Sequence, residues 1–180
     1  RLAMNYIVFG FEHYNPLGIV RSLGENGINP IGIIIENERK ITSKSRYLKK
    51  VYFVKDIQSG YEFLLKNFGD KKDTFVFTAD DQVENFLDAH YEEIKDKLYF
   101  YNAGASGRVA YFQNKYNILK MAEKHGIQYL KTWVVNKGEI PNDIEYPIIT
   151  KAIISTLDNW KSDMIICHDE TELKEAYKAI

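Results

Sequence analysis

Short apolar runs alternate with capped amphipathic stretches over the first hundred residues, and no other feature limits the fold as tightly. Asn5-Tyr6-Ile7-Val8-Phe9 is a buried-strand run that stops at Gly10. Asn15-Pro16 supplies a helix N-cap and a first-turn proline, Leu17, Val20 and Leu23 follow at helical spacing, and Gly27 marks the exit. Pro30 to Ile35 is a second buried strand. This strand–helix–strand unit of about thirty residues has the size of one βαβ element, whose strands are parallel. The rhythm then repeats. Val51–Val54 is a third strand, and Ser59 caps a helix carrying Tyr61, Leu64, Leu65 and Phe68. Thr74–Thr78 is a fourth, and Asp80 or Asp81 caps a helix with Val83, Phe86 and Leu87. Leu98–Tyr101 is a fifth. The pattern predicts an α/β fold for residues 1–102: a doubly wound, Rossmann-like parallel sheet with helices on both faces.

From residue 103 to residue 180 the pattern is that of a smaller, partial α+β subdomain. The small-residue stretch Asn102–Gly107 precedes a helix from Asn114 to His125. Tyr129–Val135, Pro147–Lys151 and Met164–Cys167 read as strands. A closing helix starts at Asp169 with Glu172 as its capping-box partner, and places Leu173, Ala176, Tyr177 and Ile180 on one apolar face. Three strands and two helices make a thin sheet, marginal by burial, so the chain is expected to be unfinished. Met4 behind Arg1-Leu2-Ala3 leaves open whether those three residues are native.

Charge and cysteine content narrow the function classes. Lys+Arg is 24 and Asp+Glu is 25, a net charge of -1, which argues against a nucleic-acid coat or a polybasic membrane protein. No apolar run approaches the roughly 20 residues of a membrane span. Cys167 is the only cysteine and has no intrachain partner, so a reducing, cytoplasmic setting is expected.

Several residues are candidates for chemistry. The turn from Gly10 through His13 joins the first strand to the first helix, at the sheet edge where ligands bind. It lacks the G-x-G-x-x-G pattern, and Phe11 and Tyr14 obstruct a pyrophosphate, so a shallow substrate pocket at Gly10 and His13 is the expectation. Asp80 and Asp81 sit at the equivalent edge of the fourth strand. They either polarise a substrate amine or hold a metal, or else Asp81 caps the helix while Asp80 faces solvent. Six basic residues between Arg39 and Lys50 read as a phosphate-binding strip or as a solvated loop balanced by Glu36 and Glu38. The four histidines have no ligand spacing, and neither a zinc site nor a catalytic triad is indicated. Cys167 reads as a core thiol and His125 as a helix C-terminal residue. Lys115 stands at a helix start, against the dipole, and Lys151 ends an apolar strand. Together they suggest an anion held between a helix and a sheet.

These last motifs carry a resemblance. Asn114-Lys115 through Gly126-Ile127, followed by Tyr146-Pro147-Ile148-Ile149-Thr150-Lys151-Ala152, resembles the lysine-led helix and lysine-ended strand of the ATP-grasp superfamily. Residues 5–101 look like its pre-ATP-grasp domain, with Thr78-Ala79-Asp80-Asp81 in place of a Thr/Ser-x-Asp-Glu turn. Within the superfamily, Ser43-Lys44-Ser45-Arg46-Tyr47 and the layout resemble carboxylate–amine ligases of the D-aspartate ligase and carbamoyl-phosphate synthase type. The resemblance implies a first (A) ATP-grasp subdomain over residues 103–180, incomplete at its C-terminus. It implies ATP and Mg²⁺ as cofactors, small-molecule carboxylate and amine substrates, and nucleotide contacts from Lys115 and Lys151. The metal ligands and adenine hinge are expected beyond residue 180, so no metal ligand is assigned and the fragment alone is expected to be inactive. Asn114 replaces the usual Asp, and residues 152–162 hold no glycine, so Ser155, Thr156 and Asn159 stand in as lid donors. The alternative is a non-catalytic small-molecule-binding module of the same Rossmann-like fold. A homo-oligomer is left open.

Overall fold

The computed structural model describes residues 4–70, 72–153 and 164–179. They form two compact units, residues 1–110 and 111–180. In the first, five strands run in parallel: β1 (Asn5–Phe11), β2 (Ile31–Ile35), β3 (Lys50–Val54), β4 (Thr74–Phe77) and β5 (Tyr99–Phe100). Their order is β3-β2-β1-β4-β5, so the winding reverses between β1 and β4. The doubly wound parallel sheet expected from the sequence is therefore present. Its helices are α1 (Tyr14–Glu25), α2 (Ile57–Phe68), α3 (Asp81–Ala89), α4 (Tyr91–Ile94) and α5 (Arg108–Gln113), the last crossing into the second unit.

Strand alternation sorts the core. Ile7, Phe9, Ile33, Ile35 and Val76 pack with Tyr61 and Leu64 of α2 and Val83 and Leu87 of α3, all at most 4% exposed. The opposite face carries Val8, Gly10 and Ile34, and there Gly10 lies against Pro16 of α1. Both faces of the central strands are filled, which is why they read as unbroken apolar runs.

Three helix starts and one strand end differ from expectation. β1 continues through Gly10 to Phe11, because Phe11 still pairs with Ile35. Helix α1 is capped two residues before the expected Asn15, by His13, whose ring accepts from the Asn15 N–H at 3.2 Å. Pro16 is tolerated because the first helical N–H groups have no intrahelical acceptor anyway. Asp56 rather than Ser59 caps α2, accepting from the Ser59 N–H at 2.7 Å. Helix α5 was not anticipated. Its first turn is anchored by Asp88, 1% exposed, whose carboxylate accepts from Val109 N (3.2 Å) and Ala110 N (3.1 Å).

The second unit holds α6 (Lys115–Lys124), β6 (Ile148–Ile149), β7 (Ile166–Cys167) and α7 (Glu170–Ala179). Strands β6 and β7 pair antiparallel, Ile148 with Cys167 and Ile149 with Ile166. Cys167, Leu173 and Ala176 are buried together with Ile148 and Tyr177 against them. Asp169 caps α7 as expected, but Glu172 reaches back to the N–H of His168. The expected strand Tyr129–Val135 does not form. Tyr129, Leu130, Val134 and Val135 are 37–85% exposed, and no described strand pairs with them. The residues Ser155, Thr156, Asn159 and Ile180 lie outside the described part. Among the described residues no helix is long and apolar enough to cross a membrane.

Candidate functional site

The reversal between β1 and β4 creates the crevice where open parallel sheets bind ligands, outside the carboxyl ends of the strands. Gly10 near the end of β1, His13 in the turn after it, Asp80 in the turn after β4 and Asp81 at the start of α3 all fall at that edge. Asp80 does not face solvent as the capping argument allows. It is 8% exposed, and its Oδ2 accepts from the Phe11 N–H at 2.9 Å. Gly10 permits this approach, since a Cβ there would stand 2.2 Å from the same oxygen. Burial pushes the Asp80 carboxyl above its ordinary value, opposed by the Phe11 N–H and by the charge of His13. Asp81 is exposed and opens α3, where a carboxylate suits the dipole.

A glutamate absent from the sequence reading organises the same edge. Glu12 is 2% exposed, and its Oε2 accepts from Ile41 N (2.9 Å) and Ser43 N (3.1 Å). Thr42, fully buried, donates its hydroxyl to the His13 carbonyl and accepts from the His13 N–H. The β1–α1 turn is thereby laced to a 3-10 turn at Thr42–Lys44. That turn lies inside the basic run, so the run is not simply a solvated loop. Only a contact nearly thirty residues away identifies Glu12, so no local signal marks it.

In the second unit, Asn114 caps α6, its side chain accepting from Tyr116 N and Asn117 N. Lys115 is the first residue of α6, and its N–H donates to the Ile153 carbonyl at 3.3 Å. The helix start thus lies beside the segment that carries Lys151, two residues earlier. Lys151 is exposed and Lys115 half-buried. The strand leading to Lys151 is not buried on both sides: Ile148 faces the small core, while Ile149 is 47% exposed. Cys167 is a buried free thiol whose pKa is raised by desolvation, in keeping with a core role.

No family model and no curated protein matches the sequence. Solved structures do match the fold, and two of them show how. An L-amino acid ligase from Bacillus licheniformis superposes on 99% of this chain and 42% of its own, with TM-score 0.62 and 12% identity. The ADP complex of purK, an N5-carboxyaminoimidazole ribonucleotide synthetase, superposes on 99% and 45%, with TM-score 0.70 and 13% identity. The chain spans less than half the length of either. At these identities the likeness shows the fold alone.

Proposed function

We propose that this chain is part of an ATP-dependent carboxylate–amine ligase. The observation that supports it best is the fold shared over 99% of the chain with an ADP-bound synthetase. In this reading a substrate carboxylate oxygen attacks the γ-phosphorus of ATP, and the bond to ADP breaks. The amine then attacks the acyl phosphate carbon, inorganic phosphate leaves, and the nitrogen loses a proton. Lys115 and Lys151 hold the nucleotide phosphates, neutralising charge that grows during transfer. The crevice at Gly10, His13 and Asp80 holds a small substrate, with Asp80 facing its amine.

Magnesium is implied by the resemblance, yet the described residues contain no group of three or more His, Cys, Asp or Glu able to hold a metal. No step is therefore routed through it. The test is titration of the chain with ADP, followed by amide NMR. Saturable shifts at Lys115 and Lys151 are expected. Lys151→Met removes a charge-assisted hydrogen bond worth about 1.5–3 kcal/mol, hence about ten- to 150-fold in affinity. Unchanged binding in that variant, with thermal stability also unchanged, would make Lys151 a bystander.

A further inference from the structure

The backbone of the basic run braces the first candidate site, while its basic side chains build a separate wall. An open cleft of about 380 Å³ lies between α1 and residues 41–47. Leu17, Arg21 and Glu25 are spaced four apart and share one face of α1, which forms one side. Lys44, Arg46 and Tyr47 line the other.

That second wall is held in place. Glu12 anchors its start through the N–H groups of Ile41 and Ser43, and Ser45 N closes the 3-10 turn on the Thr42 carbonyl. At its far end Tyr47 packs on Gly24 so closely that a Cβ there would stand 2.2 Å from the ring. Arg46 lies over the Tyr47 ring, 5.2 Å from its centroid, with Nη2 donating to the Tyr47 hydroxyl at 3.4 Å. The guanidinium is thereby oriented before any ligand arrives.

Three cations meet one carboxylate across the cleft. Glu25 is engaged by Arg21 at 3.7 Å, which leaves two positive charges in surplus on concave walls. Such walls focus the field, and guanidinium forks match the oxygens of a phosphate. We propose that this cleft is a binding site for a phosphate group, carried either by inorganic phosphate or by a small phosphate ester. Arg21, Lys44 and Arg46 contact the oxyanion, while Leu17, Ile41 and Tyr47 give an apolar floor for an ester's organic part. The proposal does not rest on the ligase reading, whose residues lie elsewhere.

The experiment titrates the chain with inorganic phosphate and with phenyl phosphate, at ionic strength held constant with chloride, and follows amide shifts. Saturable shifts centred on residues 17–25 and 41–47 are expected for both probes. Tighter binding of phenyl phosphate identifies an ester as the ligand, and equal binding identifies free phosphate. Arg46→Gln should weaken binding about ten-fold, equal to about 1.4 kcal/mol. Glu25→Gln, which removes the competing carboxylate, should tighten it, so the site remains testable if the arginine variant folds poorly. Shifts that never saturate, shifts centred on residues 10–13 or 115–117, or affinities equal in wild type and both variants would overturn the proposal. Tighter binding of a single-stranded oligonucleotide than of either probe would overturn it as well.

Discussion

The two units solve the burial problem differently. In residues 1–110 one parallel sheet is filled on both faces, and nine of the unit's described nonpolar residues, including Ile7, Phe9, Ile33 and Leu64, are completely inaccessible. Among the described residues of 111–180, a two-stranded ribbon packs one face on a small core with α7, Ile140, Ile144 and Tyr146, and α6 has no buried residue. Ile149 and Ile166 pair on the other face, 47% and 59% exposed among the described residues. A parallel sheet requires helical crossovers, so its own chain supplies the cover. An antiparallel pair carries no such guarantee. The first unit should hold most of the stability, and the second should respond mainly to local interactions.

The largest effect that would test this contrast is a cavity in the first core. Leu64 on α2 is fully buried in the cluster with Ile7, Phe9 and Ile33. Leu64→Ala should cost roughly 2–5 kcal/mol in urea unfolding of the intact chain. Leu173→Ala, in the three-residue core of the second unit, should leave that main transition almost unmoved. A comparable shift from both would mean that the two units unfold as one.

Next comes the crevice. Gly10→Ala forces the Asp80 carboxylate away from the Phe11 N–H, an overpacking cost of about 1–3 kcal/mol. Burial of the same carboxyl group sets a pH dependence. Because the Asp80 pKa is raised above its ordinary 3.8, the native state retains a proton that the unfolded chain has lost. Stability from this group is therefore full below 3.8 and declines as pH rises through the raised native value. Asp80→Asn, read as stability against pH from acid to neutral, should flatten that decline. A slope identical to wild type would assign it to another carboxyl group.

How far these features were legible in the sequence follows the same divide. The β1 to β5 alternation is written in local periodicity, since each strand is apolar and each helix amphipathic. The placement of Gly10, His13 and Asp80 at one edge follows from that alternation alone. What stayed hidden depended on long-range partners. Glu12 and Asp88 look like surface carboxylates until backbone N–H groups nearly thirty and about twenty residues away are found to donate to them. Tyr129–Val135 has the composition of a strand, but a strand needs a neighbour, and composition cannot provide one. Asn114 was readable because a cap satisfies groups only two and three residues on.

That cap gives a smaller and more local test. Helix α6 lacks buried residues, so its formation leans on the Asn114 side chain more than a core helix would. Asn114→Ala should cost about 0.5–2 kcal/mol of local helix stability. Amide exchange should quicken along residues 115–124 and stay unchanged in β1, β2 and β4. Quickened exchange in the first sheet would contradict the independence of the two units.

The smallest expected effect is at Leu130, 85% exposed in the second unit. A side chain that touches water in the native state loses little when made polar, so Leu130→Ser should change stability by no more than about 0.5 kcal/mol. The substitution should also leave sedimentation behaviour unaltered, since a single exposed leucine forms no interface of its own. Both measurements sharpen the contrast with Leu64, because the two leucines differ in burial and not in chemistry. A loss above about 1 kcal/mol, the scale of partial side-chain burial, would mean that Leu130 is covered in solution. If that loss also grew with protein concentration, the cover would be a second copy of the chain, and the exposed apolar residues of 127–135 would be an association surface.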